Sequence, residues 1–290
     1  MISRVMTSEL PYMRPFLDHY RSIGVTSFFF VYNNHAQGGE LAKFFANDID
    51  VTIAPKRSNA CLGLMHWAGI KKLHTDYIIN VDPDEFIDLG DCDNLAQFIS
   101  KYSRSISMFK FGWHMLCNDA EGAVPLKRGF DRNEYKCLFN RRSFSGGNNN
   151  HWMRVRRGST VVIPHSDARI LHYWGRTFGD VYLKCMSYKF KNGANPKTER
   201  VVAELQDGIL PPRLRALAVY CKFAPHTSMP QPALGLDQDY QNLLIERVND
   251  EGLYELALDT YAQFKEAVTA EQFEELGRSY YGRMVKKGEL

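Results

Sequence analysis

The sequence has no clustered cysteines and no long apolar run. Its six cysteines are scattered between residues 61 and 221 without a short paired spacing. A disulfide framework would normally belong to a short secreted chain, and a zinc site would need clustered ligands, so we expect free thiols in a reducing cytoplasm. No segment approaches the roughly 20 apolar residues that span a bilayer, and residues 1–9 lack the apolar region of a secretory signal. We therefore expect a cytoplasmic protein, with peripheral attachment to the inner face of the membrane as an open alternative.

Charge is unevenly distributed along a chain whose net charge is only +3. Residues 101–200 contain 19 Lys and Arg against 7 Asp and Glu, an excess of +12. The remainder contains 17 against 26, an excess of −9. A cationic middle third suits an anionic ligand such as a diphosphate, nucleic acid or acidic lipid headgroups. A solvated basic surface explains the same numbers equally well.

The first 90 residues alternate between strand-like and helix-like patterns. Amphipathic helical patterns are separated by β-prone apolar runs, which lie at residues 2–6, 25–33, 49–54 and 77–81. Strands that alternate with helices at this spacing indicate βαβ units. We therefore predict an α/β fold with a mostly parallel, Rossmann-like sheet flanked by helices.

The pattern changes after residue 88. Short strands are predicted up to residue 172, and the stretch 143–150 is rich in serine, glycine and asparagine, which predicts an irregular loop. From about residue 238 to residue 287 the chain is helical and acidic. We predict a catalytic domain over residues 1–200 and a helical C-terminal extension over residues 201–290.

Three carboxylates follow the fourth predicted strand, in the run Asp82-Pro83-Asp84-Glu85-Phe86. Ligands in open α/β sheets bind at the carboxyl ends of the strands. Side chains two residues apart in extended backbone share a side, so Asp82 and Asp84 can face one site. Two hard oxygen ligands suit Mg²⁺ or Mn²⁺, with water and phosphate oxygens as further ligands. An acidic turn without a metal is the simpler alternative.

Several short motifs occur in a fixed order over residues 4–190. They are Ser8-Glu9 with Tyr12 and His19-Tyr20, the strand ending Tyr32-Asn33-Asn34, the run Asp82 to Phe86, and His172-Tyr173-Trp174 with Arg176 and Lys184. This order resembles family-2-type glycosyltransferases of the GT-A fold, and within them the branch with family 92-like enzymes. The sequence departs from that branch at Ser8, where the branch has Asn, and at Asn33, where it has Asp.

The resemblance implies a role for each matching residue. Asp82 would approach the ribose or the metal, Asp84 would bind the metal, and His172 would be a third ligand of Mn²⁺ or Mg²⁺. The metal would bridge the diphosphate of a nucleoside-diphosphate sugar and stabilise charge on the leaving group. Residues 1–90 would bind this donor, and residues 91–200 would hold the metal and acceptor. The other substrate-binding candidates are Asn33, Asn34, Asn59, Trp113, Lys136, Arg176 and Lys184.

The acceptor side is less defined, and the resemblance implies only a glycan or lipid-linked acceptor. Inverting transfer needs a carboxylate base to deprotonate the acceptor hydroxyl. Asp119 is the first candidate, and Glu121 and Asp131 are the second choices. Aromatic candidates for stacking on a sugar, or for covering the donor, are Trp113, His114, His151 and Trp174.

Two other functions remain open. A nucleotidyltransferase of similar architecture would also use paired aspartates and a divalent metal. Against it, the first strand is followed by Thr7-Ser8-Glu9-Leu10-Pro11 and not by a glycine-rich phosphate loop. A non-catalytic carbohydrate- or polyanion-binding protein would use the basic segment and its aromatics without a metal, and its binding would be sensitive to salt. We do not expect nucleic acid as the partner.

Overall fold

A computed structural model gives the architecture of the chain. It describes residues 1–32, 38–55, 70–118, 128–149, 152–186, 196–224, 236–249 and 252–276. The chain divides into two compact units. The first consists of Met1–Met115, Asp131–Trp174 and Pro232–Asp237, and the second of Leu116–Phe130, Gly175–Gln231 and Gln238–Leu290.

The strands are short, apart from two long ones in the middle of the chain. In chain order they are β1 (Ile2–Arg4), β2 (Phe28–Tyr32), β3 (Val51–Pro55), β4 (Tyr77–Asn80), β5 (Glu85–Asp88), β6 (Ile106–Cys117), β7 (Arg128–Asn140), β8 (Phe144–Asn149), β9 (Trp152–Val155), β10 (Ser159–Ile163) and β11 (Arg169–Gly175). Nine of them form one sheet in the order β3-β2-β1-β4-β7-β6-β11-β5, with β10 beside β6. The pairs β3–β2, β2–β1, β1–β4 and β10–β6 are parallel, whereas β4–β7 and β11–β5 are antiparallel.

Helices accompany the sheet and dominate the C-terminal part of the chain. They are α1 (Met13–Ser22), α2 (Gly38–Phe44), α3 (Leu95–Ser100), α4 (Phe178–Met186), α5 (Pro196–Gln206), α6 (Pro212–Phe223), α7 (Gln238–Glu246) and α8 (Leu253–Ala267). The predicted fold class is therefore confirmed: a mixed α/β protein with a mostly parallel central sheet, flanking helices and a helical C-terminal part. None of the helices within the described residues is long and apolar enough to cross a membrane.

The first unit is built around the apolar strands that the sequence indicated. Phe28, Phe29 and Phe30 of β2 are each 1% exposed, as expected for a parallel strand covered on both faces. Next to the end of β4, the rings of Phe16, Tyr20, Phe86 and Tyr173 form a buried aromatic cluster, with centroid separations such as 4.9 Å and 5.2 Å. This cluster supports the turn that follows β4, because the Tyr20 hydroxyl donates to the backbone oxygen of Glu85 at 2.8 Å.

The second unit is helical and packs around α4. This helix is buried on nearly all sides, and it contacts α5, α6, α7 and α8. The Phe178 ring lies 5.6 Å from the Tyr254 ring and 5.0 Å from the Tyr261 ring. These contacts place α4 in the same compact unit as the later helices. The domain boundary predicted at residue 200 stays a prediction.

One local prediction is wrong. The stretch 143–150 is not an irregular loop, because Phe144–Asn149 forms β8 and pairs antiparallel with β9. Its glycines and asparagines hide the strand pattern, but Phe144 and Met153 bury their side chains in the core and fix the hairpin. Between β1 and β2, the helical segment begins with a 3₁₀ helix, Thr7–Tyr12, which leads directly into α1.

Candidate active site

The candidate site lies at the carboxyl end of β4, where a tight turn leads directly into β5. The Glu85 backbone N–H donates to the Asp82 oxygen at 3.0 Å, and the Asp82 N–H donates to Glu85 Oε2 at 2.7 Å. Residues 83 and 84 form the turn itself. The expectation of extended backbone from Asp82 to Asp84 is therefore wrong, and the orientation of each carboxylate is set by the turn.

The neighbouring parallel strand β1 ends in a turn of the same kind. The Met6 N–H donates to Glu9 Oε2 at 2.7 Å, and the Glu9 N–H donates to the Met6 oxygen at 3.0 Å. Glu9 is 6% exposed and Glu85 is fully buried, so both turns are braced by a buried glutamate. Two adjacent strand ends are thereby held in fixed positions beside each other.

Lys136 lies between two of the carboxylates. It projects from β7, which pairs with β4, and its side chain is fully buried. Its Nζ is 2.6 Å from Asp82 Oδ2 and 3.1 Å from Glu85 Oε2. Since an unpaired buried ammonium group is very costly, Lys136 and the carboxylates stabilise each other in this position.

Burial and charge shift the pKa values of these three groups in different directions. Burial lowers the pKa of Lys136, but Asp82 and Glu85 outweigh it and hold that pKa above its usual value. Burial raises the pKa of Asp82, but Lys136 outweighs it and leaves that pKa below its usual value. For Glu85, burial and the charges of Asp82 and Asp84 raise the pKa well above its usual range, against the effect of Lys136. The Lys136 ammonium group therefore faces Asp82, whose lowered pKa favours the ionised form, and Glu85, whose raised pKa favours the protonated form.

Asp84 and His172 approach each other from opposite sides of the turn. His172 lies opposite Glu85 in the β11–β5 pair, and the next residue, Tyr173, donates its N–H to the Asp84 oxygen at 2.7 Å. The His172 Nε2 and Asp84 Oδ2 atoms are 3.6 Å apart. That separation is too long for a hydrogen bond, although both side chains are nearly buried.

This pair fits a divalent cation. Ligands of Mg²⁺ at about 2.1 Å lie about 3 Å apart when they are adjacent in an octahedron, so a small movement would place one ion between Asp84 and His172. A carboxylate oxygen suits Mn²⁺ or Mg²⁺, whereas an imidazole nitrogen is more typical of the other first-row divalent metals. Within the described residues, no group of three or more His, Cys, Asp or Glu side chains is arranged to hold a metal. Any such ion would therefore take most of its ligands from water or substrate.

Trp113 forms one wall beside this pair. The Trp113 ring centroid is 4.4 Å from the His172 ring centroid and 5.9 Å from the Lys136 Nζ. Trp113 is only 7% exposed, so most of its ring contacts protein. The sequence analysis considered Trp113 for stacking on a sugar, and the structure places it against the imidazole instead of in open solvent.

The sequence analysis did not name Arg4 or assign a role to Glu85. In the parallel β1–β4 pair Ile2 lies opposite Asn80, so the end of β1, which carries Arg4, is next to the turn that follows β4. Arg4 is close enough to contribute to the lowered pKa of Asp82. The Asp-x-x-Glu and Met-x-x-Glu spacings resemble a capping box, and this signal could have identified both bracing glutamates. No local signal could have identified Arg4, because its position depends on strand register.

Several predicted site residues are outside the described residues or form separate contacts. The donor-binding candidates Asn33, Asn34 and Asn59, and the acceptor-side candidates Asp119, Glu121 and His151, lie outside the described residues. His114 and Asp131 form a hydrogen-bonded pair, with 2.7 Å between Nδ1 and Oδ1, and burial lowers the pKa of His114 despite this partner. Trp174 is half-buried at the end of β11.

Arg176 and Lys184 belong to the second compact unit. Arg176 follows β11 and is 4% exposed. Lys184 lies on α4, one turn after Asp180, and its Nζ is 3.1 Å from Asp180 Oδ2. Both cations are therefore built into the helical unit, and their role in phosphate binding stays a prediction.

Comparisons with known proteins leave the function to be argued from these residues. No family model matches the chain, and no curated protein matches its sequence. Among solved structures, residues 1–349 of S. aureus TarS match this chain with 12% sequence identity and a TM-score of 0.36. The match covers 95% of this chain and 82% of that chain. HddC from Yersinia pseudotuberculosis matches with 11% identity and a TM-score of 0.34, and the match covers 64% of this chain and 98% of that chain. A nucleotidyl transferase from Methanothermobacter matches with 13% identity and a TM-score of 0.28, and the match covers 52% of this chain and 79% of that chain.

Proposed function

We propose that the chain is a GT-A type glycosyltransferase that uses a divalent metal and a nucleoside-diphosphate sugar. The observation that supports it most directly is the approach of Asp84 and His172 to 3.6 Å at the carboxyl end of β4. Ligands of open α/β sheets bind at this edge. The ordered motifs over residues 4–190, which resemble such enzymes, point to the same activity.

The chain's own residues would bind the donor from two sides. Asp84 and His172 would hold Mn²⁺ or Mg²⁺, and this ion, once bound, would neutralise the diphosphate of the leaving group. Arg4, beside Asp82, would contact a phosphate or ribose oxygen from β1. Lys136 would keep Asp82 ionised and correctly placed, because its ammonium group is bonded to that carboxylate at 2.6 Å.

The acceptor would be a glycan or a lipid-linked glycan, and the transfer would be inverting. Asp119 stays the first candidate for the base that deprotonates the acceptor hydroxyl. Arg176 and Lys184 stay candidates for phosphate contacts, and Asn33, Asn34 and Asn59 for contacts to the nucleoside.

A nucleotidyltransferase is the alternative, and the turn after β1 gives it no support. Such an enzyme would need backbone N–H groups exposed in a flexible phosphate loop. Here the segment after β1 is a buried 3₁₀ helix, and Glu9 already accepts from the Met6 N–H at 2.7 Å. A non-catalytic binding protein would have no need for Asp84 and His172 at this spacing.

Calorimetry with a nucleoside diphosphate tests the donor site. We expect binding that requires Mn²⁺ and is lost in Asp84→Ala, because this carboxylate is proposed to hold the ion. Asp207→Ala is the matched control, since Asp207 is exposed in the turn after α5. Unchanged metal-dependent binding in a folded Asp84→Ala protein would contradict the proposed metal site.

A second experiment tests for transfer chemistry. We expect slow, metal-dependent hydrolysis of one member of a panel of sugar nucleotides, because many glycosyltransferases pass the sugar to water without an acceptor. The products distinguish the two candidate enzymes: release of free sugar with nucleoside diphosphate supports a glycosyltransferase. Release of sugar phosphate and nucleoside monophosphate would favour the nucleotidyltransferase.

A further inference from the structure

The sequence segment that contains β8 and β9 carries positive charge and no acidic residue. No Asp or Glu occurs between Glu134 and Asp167 in the sequence. Four exposed arginines in this interval, Arg142, Arg154, Arg156 and Arg157, are here called the arginine face. Among the described residues none of these four side chains forms an ion pair or a hydrogen bond. Their charge is therefore available to a partner.

The hairpin holds these arginines in place. On β9, Met153 is buried and Val155 packs against the same core cluster, whereas Arg154 between them is exposed, as is Arg156 directly after the strand. The Arg156 N–H donates to the Ser143 oxygen at 2.7 Å, which brings Arg156 and Arg157 next to Arg142. Arg142, Arg156 and Arg157 therefore lie at the end of the hairpin where β8 begins and β9 ends, and Arg154 lies on β9 itself.

We propose that the arginine face docks the protein on an anionic membrane surface. Clusters of four to eight basic residues on one surface are typical of binding to anionic lipids, and each contributes about fivefold to affinity. Nucleic acid fits less well, because binding to single strands relies on exposed aromatic rings. The large exposed apolar side chains that are described are all aliphatic.

Vesicle flotation tests this docking without donor, metal or acceptor, so its outcome is independent of the proposed enzymatic activity. The probe is a vesicle of phosphatidylcholine and phosphatidylserine in roughly a two-to-one ratio, compared with phosphatidylcholine alone. We expect binding to the anionic vesicles only, and a decrease at high salt because exposed charges are screened.

Two variants with equal charge changes locate the binding surface. The test variant carries Arg142→Gln, Arg154→Gln, Arg156→Gln and Arg157→Gln. The control variant carries Lys43→Gln, Lys71→Gln, Arg213→Gln and Arg215→Gln, which are exposed positions on other elements. We expect the test variant to lose at least about tenfold in vesicle affinity and the control to change by less than about threefold. Unfolding temperatures of both variants close to that of the wild type exclude misfolding.

Three results would overturn the proposal. They are no binding of the wild type to anionic vesicles at low salt, an equal loss in both variants, and retained vesicle binding in the test variant. A parallel titration with duplex DNA separates the other class of partner. If the test variant lost DNA affinity while its vesicle affinity stayed unchanged, the arginine face would be a nucleic-acid surface instead.

Discussion

At the scale of single residues, Lys136 determines the charge balance of the candidate site. Its ammonium group is fully buried and contacts Asp82 and Glu85. The sequence analysis identified Lys136 as a candidate for binding substrate, because its cationic type matched. A sequence pattern gives the residue type but not its burial or its partners, and these come from the antiparallel pairing of β7 with β4.

Replacing Lys136 by methionine should destabilise the protein by about 3–5 kcal/mol, because it leaves buried carboxylate charge without a partner. The free energy of unfolding can be measured by urea denaturation monitored by tryptophan fluorescence. Lys71→Met, at an exposed site, should change it by less than about 0.5 kcal/mol. A similarly small effect in both variants would contradict the role of Lys136 as the buried counter-ion.

The raised pKa of Glu85 predicts a pH dependence of stability. A group whose pKa is higher in the folded state stabilises below its unfolded value, about 4.3, and this contribution is lost as the pH rises through the folded value. Glu85→Gln should therefore become more stable relative to the wild type as the pH rises from about 4 to 7. The measurement is the unfolding temperature of both proteins across this range.

Asp82→Asn should show the opposite trend. The pKa of Asp82 is lowered in the folded state, so its contribution is present above its unfolded value, about 3.9, and is lost as the pH falls. The destabilisation of Asp82→Asn should be largest near neutral pH and should shrink below about pH 4. Parallel pH profiles for Glu85→Gln and Asp82→Asn would contradict the assigned directions.

At the scale of elements, the sequence predicted the strands that are continuous apolar runs. Residues 25–33 and 77–81 were identified because a parallel strand buried on both faces must be apolar throughout, and β2 and β4 lie within them. The hairpin β8–β9 was missed because glycine and asparagine carry no apolar alternation. Its stability comes from Phe144 and Met153, whose core contacts are distant in sequence.

Phe144→Ala tests whether the hairpin is a packed element. Phe144 is 4% exposed and its ring lies 5.1 Å from that of Phe139, so its truncation should cost about 3–5 kcal/mol. Hydrogen exchange should show reduced protection of residues 144–155 in this variant. Val162→Ala, at an exposed position, is the control. Wild-type protection throughout the hairpin in Phe144→Ala would show that the ring does not anchor it.

At the scale of the whole molecule, the site is assembled from distant segments. Arg4, Asp82, Trp113, Lys136 and His172 come from five strands or strand ends. The sequence indicated Asp82, Asp84 and His172 because they lie in short motifs, and the structure brings Asp84 and His172 together. The neighbourhood of Arg4 and Asp82 depends on sheet order and register, which no local pattern contains.

Ligand binding should therefore stabilise the folded molecule against global unfolding. A nucleoside diphosphate with Mn²⁺ at about 100 times its dissociation constant should add about 2.7 kcal/mol to the free energy of unfolding. The rise in unfolding temperature should vanish with a chelator and in His172→Ala. An equal rise in His172→Ala would show that the ligand binds without this imidazole.

The glutamate-braced turns after β1 and β4 determine how an anion can be recognised at this edge of the sheet. Many phosphate sites use free backbone amides, which attract anions without any side-chain charge. Here the amides of Met6 and Asp82 already donate to Glu9 and Glu85 of the same chain, so they are not available to a phosphate. If the chain binds a diphosphate as proposed, these two strand ends would recognise it through side-chain cations and a metal ion, and we expect that binding to weaken with ionic strength and to be lost when those charges are removed.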